Sequence, residues 1–310
     1  MKNYTLPKVF ESKIQKVYKN KKLNTANFGD FTHSDYHVFL HLVSKIGGVD
    51  AVGKYLQPEH LQREHVLTAK EFSEVFNTSI DNSYKVLKKA VDKLMKTDIR
   101  IEKPEDCGFI RINVCSQAEY NKNEGRITIE FTDRIIPYLA QVKQKFVLYN
   151  LKEIANFGSL YTTRLYELIQ EFQETGWVLK SVAQLREIFA VGNSLKLYAD
   201  FKKKTFGHAC EEINNNYDMG LDFHEIKEGR KVVAIKFFFK KTVVHKVINQ
   251  KTGIEKNLYH KPKAQIKQKE IKKISPEVLE DQLAFPDSKT EAKHIKNVLS
   301  SLLSKFSSKK

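Results

Sequence analysis

An α+β chain built from two tandem, pseudo-duplicated winged-helix domains is what this sequence predicts, and three observations lead there. First, a short capped helix, a tight turn, a longer amphipathic helix and an alternating β-hairpin follow one another twice. Second, 310 residues suffice for about two ordinary domains, and a hydrophobic share of 41% supports real cores. Third, 53 basic residues against 37 acidic ones leave a charge of +16, which suits a polyanionic partner, most often nucleic acid. A lysine-rich composition alone would produce the same surplus, so the location of the charge has to decide.

Along the chain, residues 1–29 are polar, basic and weakly patterned, and read as an N-terminal basic arm or a partly ordered lead-in. Apolar residues at Val38, Leu42, Val43 and Ile46 predict a helix over 32–46 that Gly47-Gly48 would cap. The following stretch "GGVDAVGKY" imitates a phosphate-binding loop. It fails as one: a helix stands where a strand should deliver the turn, and Tyr55 after Lys54 cannot supply the small hydroxyl that holds magnesium. "TAKEFSEVFN" pairs Thr68 with Glu71 as a capping box and places Phe72, Val75 and Phe76 on one face. "NSYKVLKKAVDKLMK" follows, with Tyr84, Leu87, Val91 and Leu94 as its apolar stripe. "DIRIE", "GFIRINVCSQAEY" and "GRITIEFT" alternate as half-buried strands do, around a turn at "NKNEG". "DRIIPYLAQVKQKFVLYNLKEIANF" predicts one further helix leading out of this first domain.

The order then repeats. "SLYTTRLYELIQEFQETGW" is a helix, Ser181 and Gln184 open a second capping box, and Gly192-Asn193 supplies the turn. The longer helix packs through Tyr198, Phe201, Thr205, Ala209 and Ile213, and "LDFHEIKEGRKVVAIKFFFKK" is a hairpin around Glu228-Gly229. The two copies share little sequence, so the repeat rests on element order. The expected organisation is an arm over 1–29, a first winged-helix domain over 30–150 for dimerisation or DNA contact, and a second over 151–241 as the main DNA-binding domain. A basic tail over 242–310 ends in an amphipathic helix carrying Ile295, Val298, Leu299, Leu302, Leu303 and Phe306.

A winged helix lays its second helix in the major groove, where base edges are distinguishable, while the wing touches the backbone. In the second copy the apolar face leaves Lys196, Lys202, Lys203, Lys204 and His208 outward, and the wing adds Arg230 and Lys231, with Lys236 and Lys240 along the strand. In the first, Asn82, Lys85, Lys88 and Lys89 occupy the exposed side, Asn82 being able either to pair with adenine or to form the turn. Any one of these lysines could be a solvated residue; helix and wing together point to duplex DNA.

Enzyme readings find little. The His-x-His metal motif that a nickase needs beside its tyrosine nucleophile does not occur, nor does Gly-x-Ser-x-Gly. His33, His37 and His41 stand one helical turn apart, a zinc-compatible spacing, but no further ligand is evident, so neither metal nor cofactor is expected. Cys107, Cys115 and Cys210 form no pairing pattern, and no stretch could span a bilayer, which predicts a cytoplasmic protein without disulfides or a membrane partner.

"FGSLYTTRLYELIQEF", "LREIFAV", "LYADFKKKTFGHACEEIN" and "EGRKVVAIKFFF" together resemble the iteron-binding class of plasmid replication initiators, the Rep_3 superfamily, over about residues 30–240. The resemblance implies a non-enzymatic protein that binds directly repeated iterons as a monomer and melts an origin with host initiator and helicase machinery. As a dimer it would repress its own promoter. A plain transcriptional repressor with no role in melting is the alternative. Where members of the family often carry arginines, Lys202, Lys203 and Lys204 stand, and lysine cannot make the forked contact to guanine. Phosphate anchoring fits these positions better than base reading, and an AT-rich repeat read partly through shape would be consistent. In the tail, "EDQLAFP" at Glu280–Pro286 loosely resembles a sliding-clamp-binding peptide but lacks one residue of that pattern, and a short amphipathic helix accounts for it better.

Overall fold

The computed structural model describes residues 16–46, 61–103, 108–139, 146–241, 244–248 and 255–259. The "GGVDAVGKY" loop with Lys54, Cys107, the Glu280–Pro286 peptide and the C-terminal helix lie outside the described residues. In chain order the elements are β1 (Lys16–Asn20), α1 (Lys22–Thr25), α2 (His33–Ile46), β2 (Glu64–Thr68), α3 (Ala69–Phe76) and α4 (Ile80–Lys96). Next come β3 (Asp98–Lys103), β4 (Gly108–Asn113), β5 (Cys115–Asn121), β6 (Arg126–Phe131), α5 (Ile136–Leu139), β7 (Phe146–Asn150) and α6 (Leu151–Ile154). The second half holds α7 (Leu160–Glu171), β8 (Trp177–Ser181), α8 (Val182–Ile188), α9 (Tyr198–Lys202), a π turn (Lys203–Gly207) and α10 (His208–Asn216). It closes with β9 (Asp222–Glu228), β10 (Lys231–Phe238), β11 (Val244–Ile248) and β12 (Glu255–Tyr259).

Both halves carry the same winged-helix topology. In the first, the sheet order is β2-β6-β5; in the second it is β8-β10-β9. Each time the strand preceding the first helix of the helix-turn-helix pairs antiparallel with the last strand of the wing, Leu67 opposite Ile127 and Leu179 opposite Lys236. The hairpin is thereby tied back under the helices. Both capping boxes form, Thr68 with Glu71 and Ser181 with Gln184. Each satisfies two helix-terminal donors and fixes where its helix begins.

The described residues fall into two compact units that interleave along the chain: 16–20, 31–96 and 113–156 belong to the first, 21–30, 97–112 and 157 onward to the second. In the first unit α2 is buried almost all round, with Tyr36, Val38, Phe39, Leu40, Leu42 and Val43 at 1% exposure or less. Thr32 and Asp35 exchange hydrogen bonds at its start, at 2.9, 2.7 and 3.2 Å. In the second unit Phe206 centres an aromatic cluster, its ring 5.7 Å from Phe201, 5.0 Å from Phe223 and 5.8 Å from Phe237.

Four expectations are corrected. Residues 16–28 are not a loose arm: β1 pairs with β7, and Leu23, Ala26 and Phe28 are buried apolar anchors. The helix expected over 133–157 is broken. Among the described residues of this stretch only Ile136–Leu139 and Leu151–Ile154 are helical, and Phe146–Asn150 is a strand, because "FVLYN" is rich in β-forming residues and finds a strand partner in β1. On α4 the buried stripe is Ser83, Leu87, Ala90 and Leu94, while Tyr84 is 38% exposed and its ring closes over Gly125 in the wing turn. Within the expected tail, β11 and β12 form an antiparallel pair, consistent with the β-branched Val244, Val247 and Ile248.

Candidate nucleic-acid interface

The second unit presents the denser cationic surface. Its long helix runs from Tyr198 to Asn216 through the π turn, burying Phe201, Thr205, Phe206, Ala209, Cys210 and Ile213. A π turn inserts one residue into the winding. That lets Thr205 and Phe206 both face inward, and it leaves Lys203 and Lys204 adjacent and exposed. Lys196 and His208 are exposed as well, His208 with its Nε2 3.8 Å from Glu212. Glu212 is itself occupied at the start of α7, accepting from the Gly158 N–H at 2.5 Å and from the Thr162 hydroxyl.

Lys202 behaves differently from its two neighbours. Its Nζ donates to Glu225 Oε1 at 2.8 Å and lies 5.3 Å from the Phe223 ring centroid. Tyr198 donates its hydroxyl to the same carboxylate oxygen at 2.9 Å, and Lys227 stands 3.8 Å from the other. The hydrogen bond from Lys202 is the main reason the Glu225 carboxyl is held below the usual carboxylate range. Burial, together with the bond to Glu225, pushes the Tyr198 phenol upward. The cluster ties the helix to β9 of the wing. At the wing tip Arg230 and Lys231 are exposed, and Gly229 takes a left-handed φ of 56° that the tight turn requires.

Lys236 in the strand and Lys240, which falls beyond the end of β10 and not along it, both point elsewhere. Lys236 lies on the sheet face opposite Phe237, 4.5 Å from the Trp177 ring centroid and 5.0 Å from that of Phe238, and burial lowers its pKa. Lys240 pairs with Asp218 at 2.5 Å.

In the first unit Lys85, Lys88 and Lys89 are exposed along α4. Asn82 is a turn former: its side-chain amide donates to Thr78 Oγ1 at 2.9 Å, and its backbone N–H to Ser79 Oγ at 3.2 Å. The tip of this wing is mixed in charge, with Glu124 paired to Arg126 beside the exposed Lys122.

The histidine column is built into the core. The His37 ring stacks on Phe76 at 4.1 Å and 13°, and His41 lies 6.4 Å from Phe72. Burial lowers both pKa values, that of His41 to about 3, so both rings are neutral. Cys115 and Cys210 are buried thiols, raised by that burial to about 11 and about 12. Among the described residues no helix is long and apolar enough to cross a membrane.

Sequence reasoning missed Glu225, which reassigns Lys202, and Arg186, whose guanidinium stacks 4.5 Å from the Phe201 ring centroid and holds the turn of the helix-turn-helix. It also missed Leu197, an exposed leucine at the start of the long helix. An acid on the inward face of a wing strand, two residues from Phe223, was the available signal for Glu225.

Two family models match this chain: "Initiator Replication protein, WH1" over residues 16–170 and "Initiator Rep protein, WH2" over residues 181–239. An Escherichia coli "Replication initiation protein" is 31% identical over 127 residues, covering 41% of this chain and 36% of that relative. The "PI protein" of Escherichia coli is 30% identical over 147 residues, covering 41% of this chain and 48% of its own length. The chain thus spans less than half the length of these relatives. A solved structure of the Pi initiator protein in complex with iteron DNA matches with a TM-score of 0.58 and 21% identity, over 73% of this chain and 97% of that one. This last likeness is one of fold.

Proposed function

Because the chain belongs to the initiator replication protein family, we propose that it starts plasmid replication by binding directly repeated iterons at the origin. The observation that carries this reading is the pair of winged-helix units, each with lysines exposed along its second helix, in a chain of charge +16. The fold it shares with an initiator bound to iteron DNA supports the same assignment. Lys203, Lys204, Lys196, Arg230 and Lys231 form the anchoring set of the second unit, with Lys85, Lys88 and Lys89 in the first. Melting of the adjacent duplex would proceed with host initiator and helicase machinery, in the cytoplasm. A dimeric form would repress the protein's own promoter. In this reading the protein is a binding factor and not an enzyme.

Footprinting of the purified chain on its own upstream DNA, with replication of a plasmid carrying that DNA in cells, tests the proposal. Protection of tandem direct repeats beside an AT-rich stretch, and replication that needs the chain, are expected. A protected lone palindrome without replication would instead identify a repressor. Phosphate contacts release counterions, so Lys203→Ala/Lys204→Ala should weaken binding and flatten its salt dependence by roughly 0.9 in slope per lysine.

A further inference from the structure

Leu197 is 70% exposed, more than any other large hydrophobic side chain among the described residues. One leucine on a surface means little by itself, but the setting of this one is specific. It is the N-cap of the helix Tyr198–Asn216, and the N-terminal residues of a recognition helix are those that approach base edges. The turn presenting it is strained, since Leu195 adopts a left-handed φ of 50° that bulky side chains rarely take. Arg186 holds that turn. Its Nη2 donates to the carbonyls of Leu195 at 2.9 Å and Lys196 at 3.2 Å while the guanidinium stacks on Phe201.

The surface around Leu197 narrows what it can read. Along the helix that follows it Ala199, Asp200, Lys203 and Lys204 are exposed, and Lys202 is drawn back to Glu225. This face carries no arginine fork for guanine. An aliphatic side chain in the major groove recognises one feature, the C5-methyl group of thymine.

We propose that Leu197 is a specificity-determining residue that packs on a thymine C5-methyl in the major groove, with Arg186 as the positioning residue of the turn that presents it. The inference rests on the DNA-binding reading above. Its test uses the full chain and short duplexes that the chain enriches from a random-sequence pool. In the best-enriched duplex each thymine is replaced singly by deoxyuridine, which lacks only the methyl, and affinity is read by fluorescence anisotropy. For the wild type, one or two positions should lose about fourfold in affinity, the worth of one buried methyl-sized group. Leu197→Ala should bind the parent duplex about that much more weakly and show no further loss at those positions, whereas Leu197→Met should retain the sensitivity. Arg186→Ala should lose the same methyl sensitivity while keeping salt-dependent binding to unrelated duplex. Losses that are equal in wild type and Leu197→Ala, or no position responding to deoxyuridine, would overturn the role of Leu197 alone. Failure of the pool to enrich any sequence would overturn it together with the sequence-specific DNA-binding reading.

Discussion

Gly207 closes the π turn of the second unit, and a Cβ there would stand 2.8 Å from the carbonyl oxygen of Lys202. That neighbour is backbone and cannot swing aside. Gly207→Ala should therefore destabilise the protein by about 1–3 kcal/mol, the usual range for overpacking, seen as a lower denaturant midpoint. DNA affinity should fall with it, since the same turn places Lys203 and Lys204. The buried histidines make a second prediction at this scale. His37 and His41 stay neutral in the fold with pKa values below 6.5, so the unfolded chain binds more protons once the pH falls under that value. Their contribution is complete above pH 6.5 and shrinks on acidification, with a slope approaching ~1.4 kcal/mol per pH unit for each ring. Amide exchange in α2 and α3 should accelerate between pH 6.5 and 5 beyond the intrinsic pH effect, and His41→Phe should reduce that response. Glu71, whose carboxyl is lowered by its bonds to Lys45 and Thr68 despite partial burial, adds its own loss only at more acid pH.

At the scale of elements, the contact between helix and wing in the second unit depends on Glu225. Glu225→Gln keeps the shape but removes the charge that holds Lys202, leaving that ammonium available to a phosphate. Binding to non-specific duplex should tighten, and its salt slope should grow by up to roughly 0.9, read by anisotropy titrations at several salt concentrations. An unchanged slope would mean that Lys202 already meets DNA or cannot reach it. Much of this architecture was legible beforehand. Two capping boxes marked the helix starts, and alternating strands around "NKNEG" and Glu228-Gly229 marked the wings. What stayed hidden was set by distant partners. β1 and β7 are strands because each supplies the other's hydrogen bonds, with Lys16 opposite Asn150 across most of the first unit's sequence. The π turn was hidden as well, since "KKTFG" reads as ordinary helix until Phe206 is seen at the centre of its cluster. In the candidate interface the cations were found by exposure on a helical face, whereas the carboxylate that claims Lys202 lies in another element.

Over the whole molecule, Arg164 is the side chain whose importance spacing could not reveal. It is 1% exposed and donates to the carbonyls of Leu23, Asn24, Ala26 and Ile188 at 3.2, 2.8, 2.9 and 3.2 Å, and to Glu167 at 3.0 Å. Its guanidinium also faces the Phe28 ring at 4.8 Å. Residues 21–30 are thereby bolted into the second unit, where Asn24 adds bonds to the Glu167 carbonyl and the Glu171 carboxylate. Arg164→Met would remove the guanidinium paired with the buried Glu167 carboxylate and take one buried donor from each of three lead-in carbonyls. The loss should be about 3–5 kcal/mol, measured by chemical denaturation of the full chain. For the same reason a fragment beginning at residue 151 should be poorly folded, and adding residues 21–30 as a separate peptide should raise its protection from proteolysis.

The chain passes between its two units at residues 20/21, 30/31, 96/97, 112/113 and 156/157. Recombination with a relative of the same family therefore has no single junction at which to exchange one winged-helix unit for another. A graft taken from 157 onward would arrive without the peptide that seals its floor and without the β3–β4 hairpin. On the proposed DNA-binding reading, target preference would shift through a side chain such as that at 197 far more readily than through exchange of whole modules, so divergence of target sequences should track point changes on one helix.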